Sequence, residues 1–236
     1  MKKYAVFDLD GTLIRWQLYH SLVNKLGKSG LLKEGALEHL HQARMKWKRR
    51  ENEEDFKEYE RSIVRAYQEA LPAMDPKAHD SIVLEVIEQY KDQTYVFTRD
   101  LISKLKAEGY LLFAISGSQE ELVEQIAKYY KFDDFCGTKY IRNKTGFTGD
   151  KNTPTDNKSL ALKQLINKHG VSDDGSYAVG DSQSDAVMLE MAQNPIAFNP
   201  DKHLYKTALK NHWPIVIERK NVVYKLEYKN DSYKLI

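Results

Sequence analysis

The sequence lacks the features that would place the chain outside the cell, in a membrane or on nucleic acid. It has one cysteine, Cys136, which cannot form a disulfide within the chain and so favours a reducing compartment. Its 36 Lys and Arg residues nearly balance 34 Asp and Glu residues, and the net charge of +2 indicates neither a nucleic-acid nor an acidic membrane partner. The longest apolar stretches, such as 110–115, are far shorter than the roughly 20 residues of a membrane span. Acidic residues at 8 and 10 interrupt the apolar run that a signal peptide needs. We therefore expect a cytoplasmic protein, and nothing in the sequence indicates its oligomeric state.

What the sequence does contain is a pattern of elements typical of an α/β protein with an insertion. Its 236 residues are 42% hydrophobic, enough for one full core and a smaller unit. A buried strand at 4–7 is followed by a helical pattern up to about residue 90, and strands then alternate with helices, which indicates a parallel sheet. We predict a Rossmann-like core from 1–15 and 91–236, with a helical unit at 16–90. A small hairpin is expected at 139–148, while the last sixteen or so residues fit a hairpin, an arm or a tail.

Three of the predicted strands end in residues that suit phosphate chemistry. The first leads into Asp8 and Asp10, which on a strand would point the same way. The second ends in Ser116-Gly117-Ser118 before a helix, a typical anion site, although a serine there is also a common helix cap. The third ends in Gly180-Asp181, with Asp185 four residues further on. Carboxylates beside an anion site require a cation between them, which points to Mg²⁺ and a phosphoryl group.

These motifs resemble those of haloacid-dehalogenase-like (HAD) hydrolases, subfamily IB, the phosphoserine phosphatase-like branch. Residues 8–12, Asp-Leu-Asp-Gly-Thr, are similar to motif one, and 115–118 to motif two. Lys158 is the candidate for the lysine of motif three, although Lys151, Lys163 and Lys168 lie nearby. Residues 180–185 are similar to motif four. The resemblance spans about residues 3–217 and implies the HAD fold with an α-helical cap of the C1 type.

The resemblance also implies roles for the acidic residues. Asp8 would attack phosphorus to give an aspartyl phosphate. Asp10 would protonate the leaving oxygen and later take a proton from water. Asp8, the backbone carbonyl of Asp10, and Asp181 would bind Mg²⁺. The second aspartate favours a phosphatase or phosphotransferase over a dehalogenase, because an alcohol leaving group needs a proton.

The remaining roles implied by the resemblance concern binding. Ser116, the Gly117 amide and Lys158 would hold the phosphoryl oxygens, and Asp185 would orient this set of groups, in one reading through Lys158. Gln17 lies near the place where phosphoserine phosphatases carry a glutamate for the substrate amine, and Arg61 is a counterpart of their arginine for the substrate carboxylate. Because Gln17 is neutral, a small phosphorylated substrate without an amine remains open.

The predicted function is Mg²⁺-dependent hydrolysis of a small phosphorylated metabolite, with two alternatives. The first is a phosphotransferase of the same fold, which would pass the phosphoryl group to an alcohol. The second is a non-catalytic module that binds polyanions through the basic run at 46–50, although such a run is usually a solvated helix face.

Overall fold

The chain divides into two units, each built from separate segments of the sequence. The computed structural model describes residues 2–52, 54–144, 146–153 and 157–236. The first unit, here called the sheet unit, comprises 1–16, 90–138 and 153–236. The second, the helical unit, comprises 17–89 and 139–152. An inserted helical unit and an α/β core are therefore present, and the predicted fold class is confirmed.

Strands and helices alternate along most of the sheet unit, while the first four helices follow one another in the helical unit. The strands are β1 (Lys3–Phe7), β2 (Leu111–Gln119), β3 (Asp134–Arg142), β4 (Phe147–Asn152), β5 (Ser172–Gly180), β6 (Asn194–Phe198), β7 (Ile215–Arg219), β8 (Val222–Lys229) and β9 (Ser232–Leu235). The helices are α1 (Leu18–Lys28), α2 (Ala36–Arg49), α3 (Asp55–Ala70), α4 (Pro76–Tyr90), α5 (Val96–Ala107), α6 (Glu120–Tyr129), α7 (Lys158–His169), α8 (Ala186–Leu189) and α9 (Lys202–Asn211). None of the helices in the described residues is long and apolar enough to cross a membrane.

The sheet unit has the strand order β3-β2-β1-β5-β6-β7-β8-β9. In this spatial order, the first six strands, β3, β2, β1, β5, β6 and β7, run parallel to one another. β8 pairs antiparallel with β7, and β9 pairs antiparallel with β8. β1 pairs with β2 on one side and with β5 on the other. The strand order therefore reverses direction at β1. Open α/β sheets bind ligands at such a point, beyond the carboxyl ends of the strands.

Burial of β1 on both faces explains its continuous apolar sequence. Its residues 4–7 are fully buried, which is usual for a strand of a parallel sheet with covered faces. Tyr4 and Val6 share a core cluster with Phe113 of β2 and with residues of α7, α8 and α9, among them Leu162 and Leu204. This packing holds the carboxyl ends of the central strands in place, and those ends carry the predicted site.

The helical unit has an aromatic core of its own. Trp47 of α2 stacks on Tyr59 of α3, with the ring centroids 5.7 Å apart. The Tyr67 hydroxyl lies 2.8 Å from His79 Nε2. Two guanidinium nitrogens of Arg142 donate to the carboxylate oxygens of Asp80 at 2.8 and 2.7 Å, which joins the end of β3 to α4.

Several details differ from the sequence prediction. The structure groups the hairpin of residues 139–152 with the helical unit, whereas the sequence analysis assigned it to the core. The first half of β3, residues 134–138, was not predicted as a strand, yet it pairs in parallel with β2. The hairpin turn was expected at 143–146, where the Asn143 side chain accepts from Gly146 N, and residue 145 within it lies outside the described residues. Of the three options for the C-terminus, a hairpin is formed by β8 and β9.

Candidate active site

The predicted site residues of the sheet unit follow the carboxyl ends of three neighbouring strands. Asp8 comes directly after β1, and its backbone N–H donates to Val179 of β5 at 3.0 Å. Asp181 comes directly after β5, and Ser116 lies in the last part of β2. Because these strands are adjacent and parallel, their ends meet at one edge of the sheet.

Lys158 is the cation of the site. It is the first residue of α7, whose cap Asn157 accepts from Leu160 N. Its Nζ donates to Asp8 Oδ1 at 2.8 Å, to Asp185 Oδ1 at 2.5 Å and to the carbonyl oxygen of Ile115 at 3.3 Å. Burial alone would lower its pKa, but the two carboxylates outweigh that effect and raise it. The ammonium therefore stays protonated between them.

Asp185 has a full set of hydrogen-bond donors around its carboxylate. Its Oδ2 accepts from Asp181 N at 3.0 Å, Ser182 N at 2.9 Å and Ser182 Oγ at 3.0 Å, while Oδ1 accepts from Lys158. Gly180 makes room for it, since a Cβ at that position would lie 2.4 Å from Asp185 Cβ. Asp185 is fully buried, and this geometry suits a group that orients Lys158 and the chain at Asp181.

The acidic side chains of the site fit a divalent cation. Asp8, Asp181 and Asp185 each offer an oxygen within 4.8 Å of one another. Burial raises the pKa of Asp8 to about 7, with Lys158 opposing and Asp185 and Asp10 adding to the shift. Burial, Asp8 and Asp185 likewise raise the pKa of Asp181 well above its usual value. Burial is the main cause of both shifts, and neighbouring carboxylates add to them. A cation beside these side chains would favour their ionised forms, and hard oxygen donors are what Mg²⁺ prefers.

Gly11 explains how the first motif reaches Asp181. Its φ of +85° lies in the left-handed region, which glycine adopts without strain. A Cβ at this position would lie 2.2 Å from Asp181 Oδ2. The turn after β1 therefore needs glycine both for its backbone conformation and for the close approach of Asp181.

Asp10 points to a different set of partners from Asp8. Its Oδ2 accepts from the hydroxyl groups of Ser116 at 2.8 Å and Ser118 at 2.7 Å. The strand alternation that suggested a shared target for Asp8 and Asp10 does not apply, because β1 already ends at Phe7. The Asp10 carboxylate is thus outside the acidic cluster of the described residues, and the predicted contribution of its backbone carbonyl to metal binding stays a prediction.

Sequence reasoning missed Ser118 as a site residue and read Ser116 only as a phosphate ligand. A serine hydroxyl has one proton to donate, and in both residues it is directed to Asp10. The signal was present in the motif, since Ser116 and Ser118 alternate along β2 and so share a face. Binding of a phosphoryl oxygen by Ser116 and by the Gly117 amide stays a prediction.

The two predicted substrate residues of the cap, Gln17 and Arg61, belong to the helical unit. Gln17 precedes α1, and its backbone oxygen accepts from Ser21 Oγ at 3.2 Å. Arg61 lies on α3 with an exposed side chain. Their roles towards a substrate remain predictions.

Comparison with known proteins agrees with the fold and shows the family of the chain. A family model described as haloacid dehalogenase-like hydrolase matches residues 5–190. The chain is 31% identical to a phosphoserine phosphatase of Lactococcus lactis, over 96% of this chain and 95% of the relative. It is 24% identical to a histidinol-phosphatase of Neisseria meningitidis, over 92% of this chain and 99% of the relative. A solved structure of a phosphoserine phosphatase in its apo form superposes with a TM-score of 0.64 at 20% identity, covering 94% of this chain and 96% of that one.

The α/β fold, the acidic cluster around Lys158 and the family match together define a hydrolase of the HAD type. The chain belongs to the haloacid dehalogenase-like hydrolase family. The predicted enzyme class, a phosphatase of that family, is likewise confirmed.

Proposed function

We propose that the protein is a Mg²⁺-dependent phosphomonoester hydrolase that acts through an aspartyl phosphate on a small phosphorylated metabolite. The observation that carries the proposal is the contact between the Asp8 carboxylate and the Lys158 ammonium. Lys158 Nζ holds Asp8 Oδ1 at 2.8 Å and is itself held by Asp185, so the nucleophile has a fixed orientation. Asp10, the candidate acid, lies two residues away and is held by serine hydroxyls.

The proposed reaction has two halves that share one acid–base group. An oxygen of Asp8 bonds to phosphorus while the bond from phosphorus to the leaving oxygen breaks, and Asp10 gives that oxygen a proton. Water then attacks the phosphorus of the aspartyl phosphate, its proton passes to Asp10, and inorganic phosphate and the Asp8 carboxylate are released. Lys158 offsets negative charge next to the reacting group in both halves.

Asp8 and Asp181 are the residues that would hold the metal ion. Asp185 is less suited, because four donors already occupy its two oxygens. When bound, Mg²⁺ would supply positive charge for phosphoryl oxygens next to carboxylates that otherwise repel them. The Asp10 backbone carbonyl is the third ligand that we propose.

The helical unit is proposed to act as a cap that selects the substrate. Gln17 and Arg61 are its candidate contacts. The relatives carry names with two different substrates, phosphoserine and histidinol phosphate, and both belong in a screen. A neutral Gln17 supports testing phosphorylated metabolites without an amine as well.

The alternatives from the sequence fare differently. In the basic run of α2, Lys46 pairs with Asp55 at 3.3 Å and Glu58 at 3.0 Å, and Arg49 with Glu51 at 2.7 Å. Two of the four basic side chains of the run therefore pair with carboxylates, which reduces the positive charge that the run offers to a polyanion. A phosphotransferase keeps the same first half-reaction, and product analysis with an added alcohol acceptor separates it from a hydrolase.

The test is hydrolysis of p-nitrophenyl phosphate with Mg²⁺ and with a chelator, in the wild type and in Asp8→Asn. We expect turnover that needs the metal and that the substitution abolishes. Asp174→Asn, an exposed aspartate of β5, is the matched control and should retain activity. Equal turnover by wild type and Asp8→Asn would rule out Asp8 as the nucleophile.

A further inference from the structure

The end of β2 places a second hydroxyl on the candidate acid. We propose that Ser118 is a positioning residue that holds Asp10 in the orientation from which it protonates the leaving oxygen. The inference rests on the proposed phosphatase function and adds to it a residue that orients the carboxyl group of the acid.

Asp10, Ser116 and Ser118 form a closed ring of hydrogen bonds. Ser118 Oγ donates to Asp10 Oδ2 at 2.7 Å, and Ser116 Oγ donates to the same oxygen at 2.8 Å. Ser118 N donates to Ser116 Oγ at 3.0 Å, which closes the ring. Both serines are buried, with 3% of Ser118 and none of Ser116 exposed, so water does not compete for these bonds.

Two donors on one carboxyl oxygen fix the orientation of the acid. Oδ2 of Asp10 accepts both hydroxyl protons, so the carboxyl group is held at this oxygen from two directions. As the bond from phosphorus to the leaving oxygen breaks, that oxygen keeps the electron pair and takes the proton of the Asp10 carboxyl group. Asp10 becomes a carboxylate, and both serine bonds strengthen because their acceptor gains charge. An interaction that strengthens in this way lowers the barrier.

The Ser118 hydroxyl is not required to hold the chain in place at this point. Thr138 Oγ1 of β3 donates to the carbonyl oxygen of Gly117 at 2.8 Å, and Ser118 is held through its backbone N–H. Gln119 pairs with Thr138 in the sheet. A Ser118→Ala variant therefore retains these backbone contacts and loses the one bond to Asp10.

The test compares two aryl phosphates that differ in their need for a proton. p-Nitrophenolate leaves with little assistance, whereas the more basic phenolate of phenyl phosphate needs the acid. The value of kcat/KM is measured at saturating Mg²⁺, because it reports the steps up to the phosphoenzyme. We expect Ser118→Ala to lower kcat/KM for phenyl phosphate about tenfold more than for p-nitrophenyl phosphate, a fraction of what acid catalysis contributes. Ser118→Thr, which keeps the hydroxyl, should restore the ratio of the two values towards that of the wild type.

Ser103→Ala is the matched control, since Ser103 is an exposed serine of α5 whose hydroxyl donates to the Arg99 carbonyl oxygen of the same helix at 3.1 Å. It should leave the ratio unchanged. Thermal melts of all variants show whether a loss of activity reflects unfolding. In an Asp10→Asn background, Ser118→Ala should cause little additional loss, because the residue acts through Asp10.

An equal fall on both substrates, or an undiminished effect of Ser118→Ala in the Asp10→Asn background, would overturn the inference. Such a result would leave the proposed function intact as long as Asp8→Asn is inactive. A wild type that hydrolyses neither aryl phosphate would instead overturn the proposed function, and this inference with it.

Discussion

Replacing the candidate nucleophile Asp8 by asparagine should make the metal-free protein more stable while abolishing its activity. Asp8 is 5% exposed and lies close to Asp181, Asp185 and Asp10, with Lys158 as its ammonium partner. Asparagine retains an oxygen that can accept from Lys158 but carries no charge. The substitution therefore removes the repulsion between Asp8 and its acidic neighbours and the cost of burying its charge. It keeps most of the hydrogen bonding with Lys158.

The size of the effect follows from the raised pKa of Asp8, which changes from 3.8 to about 7 in the folded protein, chiefly because of burial. An acid with a raised pKa binds its proton more tightly when folded, so its ionisation destabilises the folded state as the pH rises from the unfolded to the folded value. One pKa unit corresponds to about 1.4 kcal/mol. By the same conversion, ionisation of Asp8 lowers the free energy of unfolding by about 1.6 kcal/mol at pH 5 and by about 4 kcal/mol above pH 7. Wild type should thus lose about 2.5 kcal/mol relative to Asp8→Asn between pH 5 and pH 8.

The assay is thermal or urea unfolding of both proteins in a chelator at pH 5 and pH 8. For a chain of this size, about 2.5 kcal/mol corresponds to a difference of roughly 5–10 °C in Tm. Added Mg²⁺ should stabilise wild type more than the variant, because an ion that binds only the folded state adds about 2.7 kcal/mol at a hundred times its Kd.

Asp174→Asn serves as the control for the change of an aspartate at an exposed site, and its stability should follow wild type at both pH values. If Asp8→Asn were no more stable than wild type at pH 8, or if the gap were the same at both pH values, the account of charge crowding would be wrong.

Two further substitutions probe the same site. Lys158→Met should lower p-nitrophenyl phosphate hydrolysis at least about 100-fold and destabilise the protein by about 3–5 kcal/mol, because it leaves buried carboxylates unpaired. Lys163→Met, on the exposed side of the same helix, should change neither quantity, and similar losses in both variants would contradict the role of Lys158. Gly11→Ala should raise the Mg²⁺ concentration for half-maximal activity about 10- to 100-fold, as its Cβ would lie 2.2 Å from Asp181 Oδ2. An unchanged Mg²⁺ requirement would mean that Asp181 does not bind the metal.

The local sequence was sufficient to predict the elements and the chemistry that their ends carry. The apolar run at 4–7 and the largely apolar segment 176–179 predicted buried parallel strands, because a strand covered on both faces has no polar side. Acidic and hydroxyl residues directly after those runs indicated the edge of the sheet where a ligand binds. The helical pattern between 16 and 90 likewise indicated a unit apart from the sheet.

Packing between segments far apart in the sequence decided which of these groups contact one another. The placement of β1 between β2 and β5 brings Asp8 towards Lys158, a residue 150 positions away. The sequence pattern favoured Lys158 but could not test it against three other lysines nearby. The same placement turns Asp10 towards Ser116 and Ser118 rather than towards Asp8's partners. A hydrogen bond between side chains of separate strands forms only when its two atoms are placed to within a few tenths of an ångström. The periodicity of the sequence along one strand does not contain that information.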